Sequence, residues 1–169
     1  TPFSPGQAYP LLAPDGTRYC LSEQRGDTEE ITASGAHLFV SDSGITAANG
    51  DAIHFVHDAQ GRLTCIDLPD GSTILIGYEP NAGTGKIDAT IQKLDSTGGV
   101  TFQWNSSGEA SETLATNSDY AHINSAVSVE HGDIIASFRH LSAVYRIATV
   151  AHDGYKPGDV IWRLGGRHS

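Results

Sequence analysis

The apolar residues of the chain fall in short runs, each bounded by Gly, Pro, Asp or Asn. The runs are rich in β-branched and aromatic residues, which favour strands, and the residues between them favour tight turns. No window carries apolar residues at helical spacing with a capping residue at each end. The pattern predicts an all-β fold. Its clearest strands are 53–56, 63–66, 73–78, 89–94, 100–104, 133–138, 143–148 and 160–164.

The order of strands repeats along the chain. Three consecutive strands that end at Trp104 are followed by three that end at Trp162, and these tryptophans are about 60 residues apart. Such repeats are typical of β-propeller blades, which hold four antiparallel strands each. With an outer strand expected between residues 105 and 117, we predict blades at 70–118 and 119–169 and a first, less regular blade at 1–69. A β-sandwich with similar hairpins is the alternative.

The length of the chain limits this architecture. With about 55 to 60 residues per blade, the 169 residues hold about three blades, whereas closed propellers usually have about four to eight. An open set of blades would leave strand edges that pair with other strands. We therefore expect an incomplete propeller, either a fragment of a larger protein or one that a partner chain or a second copy completes.

Charge and composition exclude several functions. The formal net charge is −10, and the 10 Lys and Arg residues do not cluster, which argues against nucleic-acid binding. No apolar run approaches about 18 residues, so we expect no membrane span. The chain begins at Thr1 without methionine, which suggests a trimmed product that is secreted or periplasmic. Cys20 and Cys65 either pair or stay thiols.

The most informative segment is Asp119–Ser125. His122 and Asn124 are two positions apart, so on one strand they would point to the same face. Arg139 ends a later strand, and the turn between the strands can bring its guanidinium beside them. Imidazole, carboxamide and guanidinium together donate many hydrogen bonds, which suits a tetrahedral oxyanion.

Three motifs resemble those of the arylsulfotransferase family. They are Asp-Tyr-x-His-x-Asn-Ser at 119–125, Ser-x-Arg-His at 137–140 and Trp-x-Leu-Gly-Gly at 162–166, and the resemblance covers about residues 70–169. It implies a six-bladed propeller that moves a sulfuryl group from an aryl sulfate to a phenol through a sulfated histidine. It also implies that His122 and Arg139 act in catalysis. Together with Asn124 they would bind the sulfuryl oxygens.

The resemblance also implies two histidines that we cannot match to residues of this sequence. The family's nucleophilic histidine follows the Trp-x-Leu-Gly-Gly motif at a distance that would put it beyond Ser169. Another is expected where this chain has Thr64 and Cys65. His57, which precedes Asp58, is the nearest substitute and a further candidate for substrate binding.

We therefore predict part of a sulfuryl-transfer enzyme that lacks its nucleophile in this chain, with an aryl sulfate and a phenol as its small-molecule partners. The alternative is a non-catalytic propeller module that binds small anions or mediates protein interaction, and a quinoprotein-type propeller ranks third. No zinc or calcium motif is present, so no metal and no cofactor is expected.

Overall fold

The computed structural model describes residues 8–22, 26–107 and 117–166. These residues form strands, turns and two short 3₁₀ segments, Glu130–Gly132 and Arg139–Leu141, so the predicted all-β class is confirmed. The chain divides into two compact units, Thr1–Phe55 and Val56–Ser169. Among the described residues, no helix is long and apolar enough to cross a membrane.

The first unit is an antiparallel meander in which each strand pairs with the next one along the chain. All fully buried apolar side chains of the described residues lie outside this unit, so it has little core of its own. The last strand, β6, extends past the boundary at Phe55. The strands are β1 (Ala8–Leu12), β2 (Arg18–Ser22), β3 (Gly26–Ile31), β4 (His37–Ser41), β5 (Gly44–Ala47) and β6 (Ala52–His57).

The second unit holds two groups of four strands, again antiparallel and in chain order. The first group is β7 (Leu63–Asp67), β8 (Thr73–Asn81), β9 (Lys86–Leu94) and β10 (Val100–Asn105). The second group is β11 (Ile123–Ser128), β12 (Ile134–Phe138), β13 (Ala143–Ile147) and β14 (Val160–Gly165).

The predicted strands agree with the observed ones to within a few residues, except that β8 and β9 are longer. The first group of the second unit begins at Leu63, ahead of the predicted blade start at residue 70, because β7 forms a hairpin with β8. The outer strand expected between residues 105 and 117 falls largely outside the described residues. The described strands do not close into a barrel, so the number of blades stays a prediction.

Aspartate side chains accept hydrogen bonds within several turns, as their positions close to glycines predict. Oδ1 of Asp58 accepts hydrogen bonds from the backbone N–H groups of Gln60 and Arg62, both at 2.9 Å. Asp70 accepts from the N–H of Ser72 at 2.9 Å in the same way. These side chains replace backbone hydrogen bonds that a tight turn cannot make.

The two cysteines do not form a disulfide. Cys20 lies in β2 and Cys65 in β7, and both are thiols. Burial, together with the nearby carboxylate of Asp67, raises the pKa of Cys65. Because the thiolate is the reactive form, Cys65 is a poor nucleophile at neutral pH.

The core of the second unit follows the two-residue alternation of its strands. In β12 every second residue is buried, ending at Phe138, which is 1% exposed. Phe138 contacts Tyr145 of β13 at a ring-centroid distance of 4.6 Å and Trp104 of β10 at 6.0 Å. Since Trp104 belongs to the other group of strands, this aromatic contact joins the two groups into one core.

A buried polar network also joins the two groups. The hydroxyl of Tyr120, a residue with no exposed surface, lies 2.8 Å from Oδ1 of Asp88 and 2.7 Å from Oγ of Ser106. Ser106 Oγ in turn accepts a hydrogen bond from the N–H of Ala89 at 2.9 Å. Tyr120 thus supplies one hydrogen-bond partner to Asp88 and one to Ser106 in the core.

We expect Tyr120→Phe to lower the free energy of unfolding by about 1–3 kcal/mol, because it leaves Asp88 and Ser106 short of a partner in the core. Urea denaturation measures this change. Tyr155→Phe removes a hydroxyl from a partly exposed ring and is the matched control. Equal unfolding midpoints for the two variants would show that the network adds no stability.

A second buried carboxylate fixes the loop between β13 and β14. Asp133 has no exposed surface, and its Oδ2 lies 2.8 Å from both Nε and Nη2 of Arg146. Its Oδ1 lies 2.9 Å from Nε2 of His152. Burial acts to raise the pKa of Asp133, but the hydrogen bonds from His152 and Arg146 outweigh it and the pKa is lowered. The carboxylate therefore stays ionised between Arg146 and His152.

Candidate functional site

The turn that leads into β11 brings a carboxylate and an imidazole together. The side-chain oxygen of Asn117 accepts a hydrogen bond from the N–H of Asp119 at 2.9 Å, and the N–H of His122 donates to the carbonyl of Asp119 at 3.4 Å. The buried ring of Tyr120 anchors the same turn in the core. The turn therefore fixes Asp119 and His122 relative to each other through the backbone.

The side chain of His122 is oriented by Asp119. Its Nδ1 lies 2.8 Å from Oδ2 of Asp119, and since an ionised carboxylate only accepts hydrogen bonds, Nδ1 carries the proton. His122 is 4% exposed, and its buried Nε2 has no hydrogen-bond partner among the described residues. Leaving such an atom unpaired is costly. Nε2 is therefore the atom of this site best placed to bind a ligand or exchange a proton.

His140 lies beside His122. The two ring centroids are 4.6 Å apart, and the rings are tilted by 56°. Nδ1 of His140 is 2.7 Å from the backbone carbonyl of Asp119, so this nitrogen also carries a proton. Both imidazoles thus use Nδ1 to hold their orientation and leave Nε2 for other partners.

Arg62 and Tyr78 complete the site from the first group of strands. Nη1 of Arg62 lies 3.7 Å from Oδ1 of Asp119, and its Nε lies 2.7 Å from Oδ2 of Asp58. The guanidinium lies over the ring of Tyr78, 4.2 Å from the centroid. The Tyr78 hydroxyl is 3.1 Å from the carbonyl of Ile123, and burial raises its pKa, so it stays a hydrogen-bond donor. These contacts hold the turn before β11 against β7 and β8.

The other predicted site residues are exposed, whereas His122 is buried. His122 precedes β11. The pairing of β11 with β12 shifts register between Ile123 and Ser125, so Asn124 lies at a β-bulge. Asn124 is exposed. The bulge interrupts the alternation that would have put Asn124 on the same face as His122.

Arg139 and His57 are both exposed. The backbone N–H of Arg139 donates to the carbonyl of His122 at 3.0 Å, so its side chain starts close to the site. His57 lies at the end of β6.

Sequence reasoning missed four members of the site, and only two of them had a local signal. Asp119 lies three residues before His122, a spacing that a turn can bring into contact. His140 belongs to the Ser-x-Arg-His motif but was not a predicted site residue; the strand ends at Phe138, and His140 lies in the 3₁₀ segment that follows. Arg62 and Tyr78 reach the site only through the packing of distant strands.

The arrangement supports two kinds of chemistry. An imidazole held by a carboxylate can donate or accept a proton at Nε2, attack an electrophile, or bind an oxyanion when protonated. Asp119, His122 and His140 also offer one ligand atom each within 4.8 Å of one another, so the same residues could hold a metal ion.

Comparison with known proteins adds little to this geometry. No protein-family model and no curated protein sequence matches the chain. Among solved structures, the chain is similar to a protein of unknown function from Bacteroides caccae, with 14% sequence identity and a TM-score of 0.41. The match covers 96% of this chain and 59% of that protein. This degree of similarity identifies neither a family nor a function.

Proposed function

We propose that the second unit is part of an arylsulfotransferase-like enzyme, in which His122 contacts the sulfuryl group of an aryl sulfate. The observation that carries the proposal is the buried Nε2 of His122, held in place by the 2.8 Å contact between Nδ1 and Asp119. The three motifs at 119–125, 137–140 and 162–166 support it, since they occur in the order that this family shows.

The strands of the second unit support a propeller. β11–β14 form a four-stranded antiparallel sheet in chain order, and β7–β10 also pair antiparallel in chain order, as the strands of propeller blades do. Trp104 packs against Phe138 between the groups, as residues of neighbouring blades do. We propose that these groups are two blades of a larger propeller, completed by further strands or by a partner chain.

Each residue of the site has a distinct role in this proposal. His122, once protonated at Nε2, donates to a sulfuryl oxygen or to the departing phenolate, which stabilises the charge that develops there. Arg62 holds Asp119 in position and does not contact the substrate. Arg139 is exposed and adjacent to His122 in the backbone network, so its guanidinium can bind a second sulfuryl oxygen.

The substrate reaches Nε2 of His122 by displacing His140. The His140 ring is exposed and lies against that of His122, so it covers the buried nitrogen on one side. In this proposal a rotation of His140 breaks its 2.7 Å hydrogen bond to the carbonyl of Asp119 and keeps the contact between His122 and the Asp119 carboxylate.

A second candidate is a module that binds small anions without turnover. The observation that favours it is that Nε2 of His122 is closed off from solvent. An anion that binds there needs only hydrogen-bond donors, whereas turnover also needs a nucleophile and a path for the phenol to the same site.

The test is phenol-dependent release of 4-nitrophenol from 4-nitrophenyl sulfate. In this proposal the nucleophile does not come from this chain, so we expect turnover only when a partner chain supplies it. His122→Gln should reduce the rate by about 100-fold or more, because general acid catalysis and oxyanion binding are both lost. His37→Gln, at an exposed histidine of the first unit, is the control and should leave the rate unchanged.

Sulfate binding, measured by calorimetry, separates the two candidates. Binding by the wild type and His37→Gln but not by His122→Gln, without turnover in any of them, supports the binding module. If sulfate binds equally to all three proteins, or to none, the anion site at His122 does not exist.

A further inference from the structure

A second histidine cluster lies at the opposite end of β12, away from the site described above. His131, in the 3₁₀ segment before β12, stacks on His152 with the ring centroids 4.4 Å apart and the rings within 20° of parallel. His131, His152 and Asp153 each offer one ligand atom, and these atoms lie within 4.8 Å of one another. The proposed sulfuryl transfer uses none of these residues.

Both ring nitrogens of His152 face carboxylate oxygens. Nε2 lies 2.9 Å from the buried carboxylate of Asp133, to which it donates its proton. Nδ1 lies 3.2 Å from Oδ2 of Asp153, so without a further proton two acceptors face each other. Either a proton or a metal ion between them removes this conflict.

The distance between these two atoms suits a metal ion. Ligand atoms bound about 2.0–2.1 Å from a tetrahedral zinc ion are about 3.3 Å from each other. Asp133 has the position of the outer carboxylate that commonly receives the second N–H of a metal-binding histidine. His152 is thus already oriented as such a ligand.

The backbone presents the other two ligands. His131 and Asp153 both have positive φ angles, 62° and 48°. Histidine, aspartate and asparagine are the residues other than glycine that adopt such angles most often. The nitrogens of two stacked, parallel rings point in similar directions and do not converge on one ion. To bind an ion together with His152, the His131 ring must therefore rotate out of the stack. Its side chain is 43% exposed, which leaves room for that rotation.

The local charge also attracts a cation. Glu130 lies 3.8 Å from the His131 ring, and Asp133 and Asp153 add two more carboxylates. The positive groups are Arg146, which is bound to Asp133, and Lys93, whose Nζ lies 3.3 Å from the carbonyl of Gly132.

We propose that His131, Nδ1 of His152 and Asp153 form a binding site for a divalent transition-metal ion of the zinc type, with Asp133 as the carboxylate that orients His152. Two imidazoles and one carboxylate suit Zn²⁺, Co²⁺, Ni²⁺ or Cu²⁺ and are poor ligands for Mg²⁺ or Ca²⁺. The site is independent of the proposed sulfuryl transfer.

The test is titration of the whole chain with Co²⁺, followed by the visible absorption of the bound ion and by competition with Zn²⁺. His131→Asn and Asp153→Asn should each weaken Co²⁺ binding by about tenfold or more. Asparagine tolerates the positive φ at both positions, so these variants should fold, which circular dichroism checks. His37→Gln removes an exposed histidine outside both clusters and should bind Co²⁺ as the wild type does, and His122→Gln reports on the cluster of Asp119, His122 and His140.

Two outcomes would overturn the proposal. One is absence of Co²⁺ absorption at about millimolar metal, since a site of this ligand set should be filled there. The other is binding that His122→Gln abolishes while His131→Asn and Asp153→Asn retain it, which would assign the ion to the cluster of Asp119, His122 and His140.

Discussion

Asp133→Asn should lower the free energy of unfolding by about 3 kcal/mol or more. Asp133 is fully buried and is the common partner of Arg146 and His152, so an amide in its place leaves both cations without a counter-charge in the core. Urea denaturation at pH 6 measures the loss. Asp42→Asn removes the same charge from an exposed position and should change the unfolding midpoint little.

The stability that Asp133→Asn loses should also depend on pH, because Asp133 and His152 both titrate. The pKa of Asp133 is lowered in the folded protein, so its stabilisation is present above pH about 4 and is lost as the pH falls through the folded value. Hydrogen bonds to Asp153 and Asp133 raise the pKa of His152, so its stabilisation is complete below pH about 6.5 and is lost as the pH rises through the raised value.

The difference in stability between wild type and Asp133→Asn should therefore be largest between pH about 4 and 6.5. It should shrink on either side of that window. A difference that is the same at every pH would mean that the variant fails for steric reasons and that the ionic contacts are not its cause.

Phe138→Ala should lower the free energy of unfolding by about 3–5 kcal/mol. Phe138 is 1% exposed and contacts Tyr145 within its own group of strands and Trp104 in the other group. The truncation removes the apolar contact and leaves a cavity at the junction of the two groups. Thermal and urea denaturation both measure the effect.

Two further variants identify the cause of this loss. Phe138→Leu keeps most of the volume and should cost less than half as much as the alanine variant. Phe39→Ala truncates a ring that is 50% exposed and should change stability little. If Phe138→Ala and Phe39→Ala lose the same amount, the aromatic contact between the two groups of strands contributes nothing.

The sequence predicts the features of the fold that depend on residues close together in the chain. β12 and β13 alternate between apolar and polar positions, and the turns beside them carry the Asp and Gly residues that such turns need, so their bounds follow from local pattern. His122 was also predicted, from a motif within seven residues.

Contacts between distant segments could not be predicted in this way. Arg62 reaches Asp119 only because the turn after β6 packs beside the turn before β11, and nothing near Arg62 indicates that. The register shift between Ile123 and Ser125, which exposes Asn124, also has no signal in the neighbouring residues. His131 and His152 lie in separate turns, and nothing next to either residue indicates that their rings stack.

The chain-order pairing of the strands has a consequence for how the protein folds. Nearly every backbone ladder joins strands that are adjacent in sequence, so few pairings require the closure of a long loop. Folding rates rise as the sequence separation of native contacts falls, and the second unit should therefore fold faster than a Greek-key β-domain of the same size. Each hairpin can also form soon after its second strand leaves the ribosome, before the later strands have been synthesised.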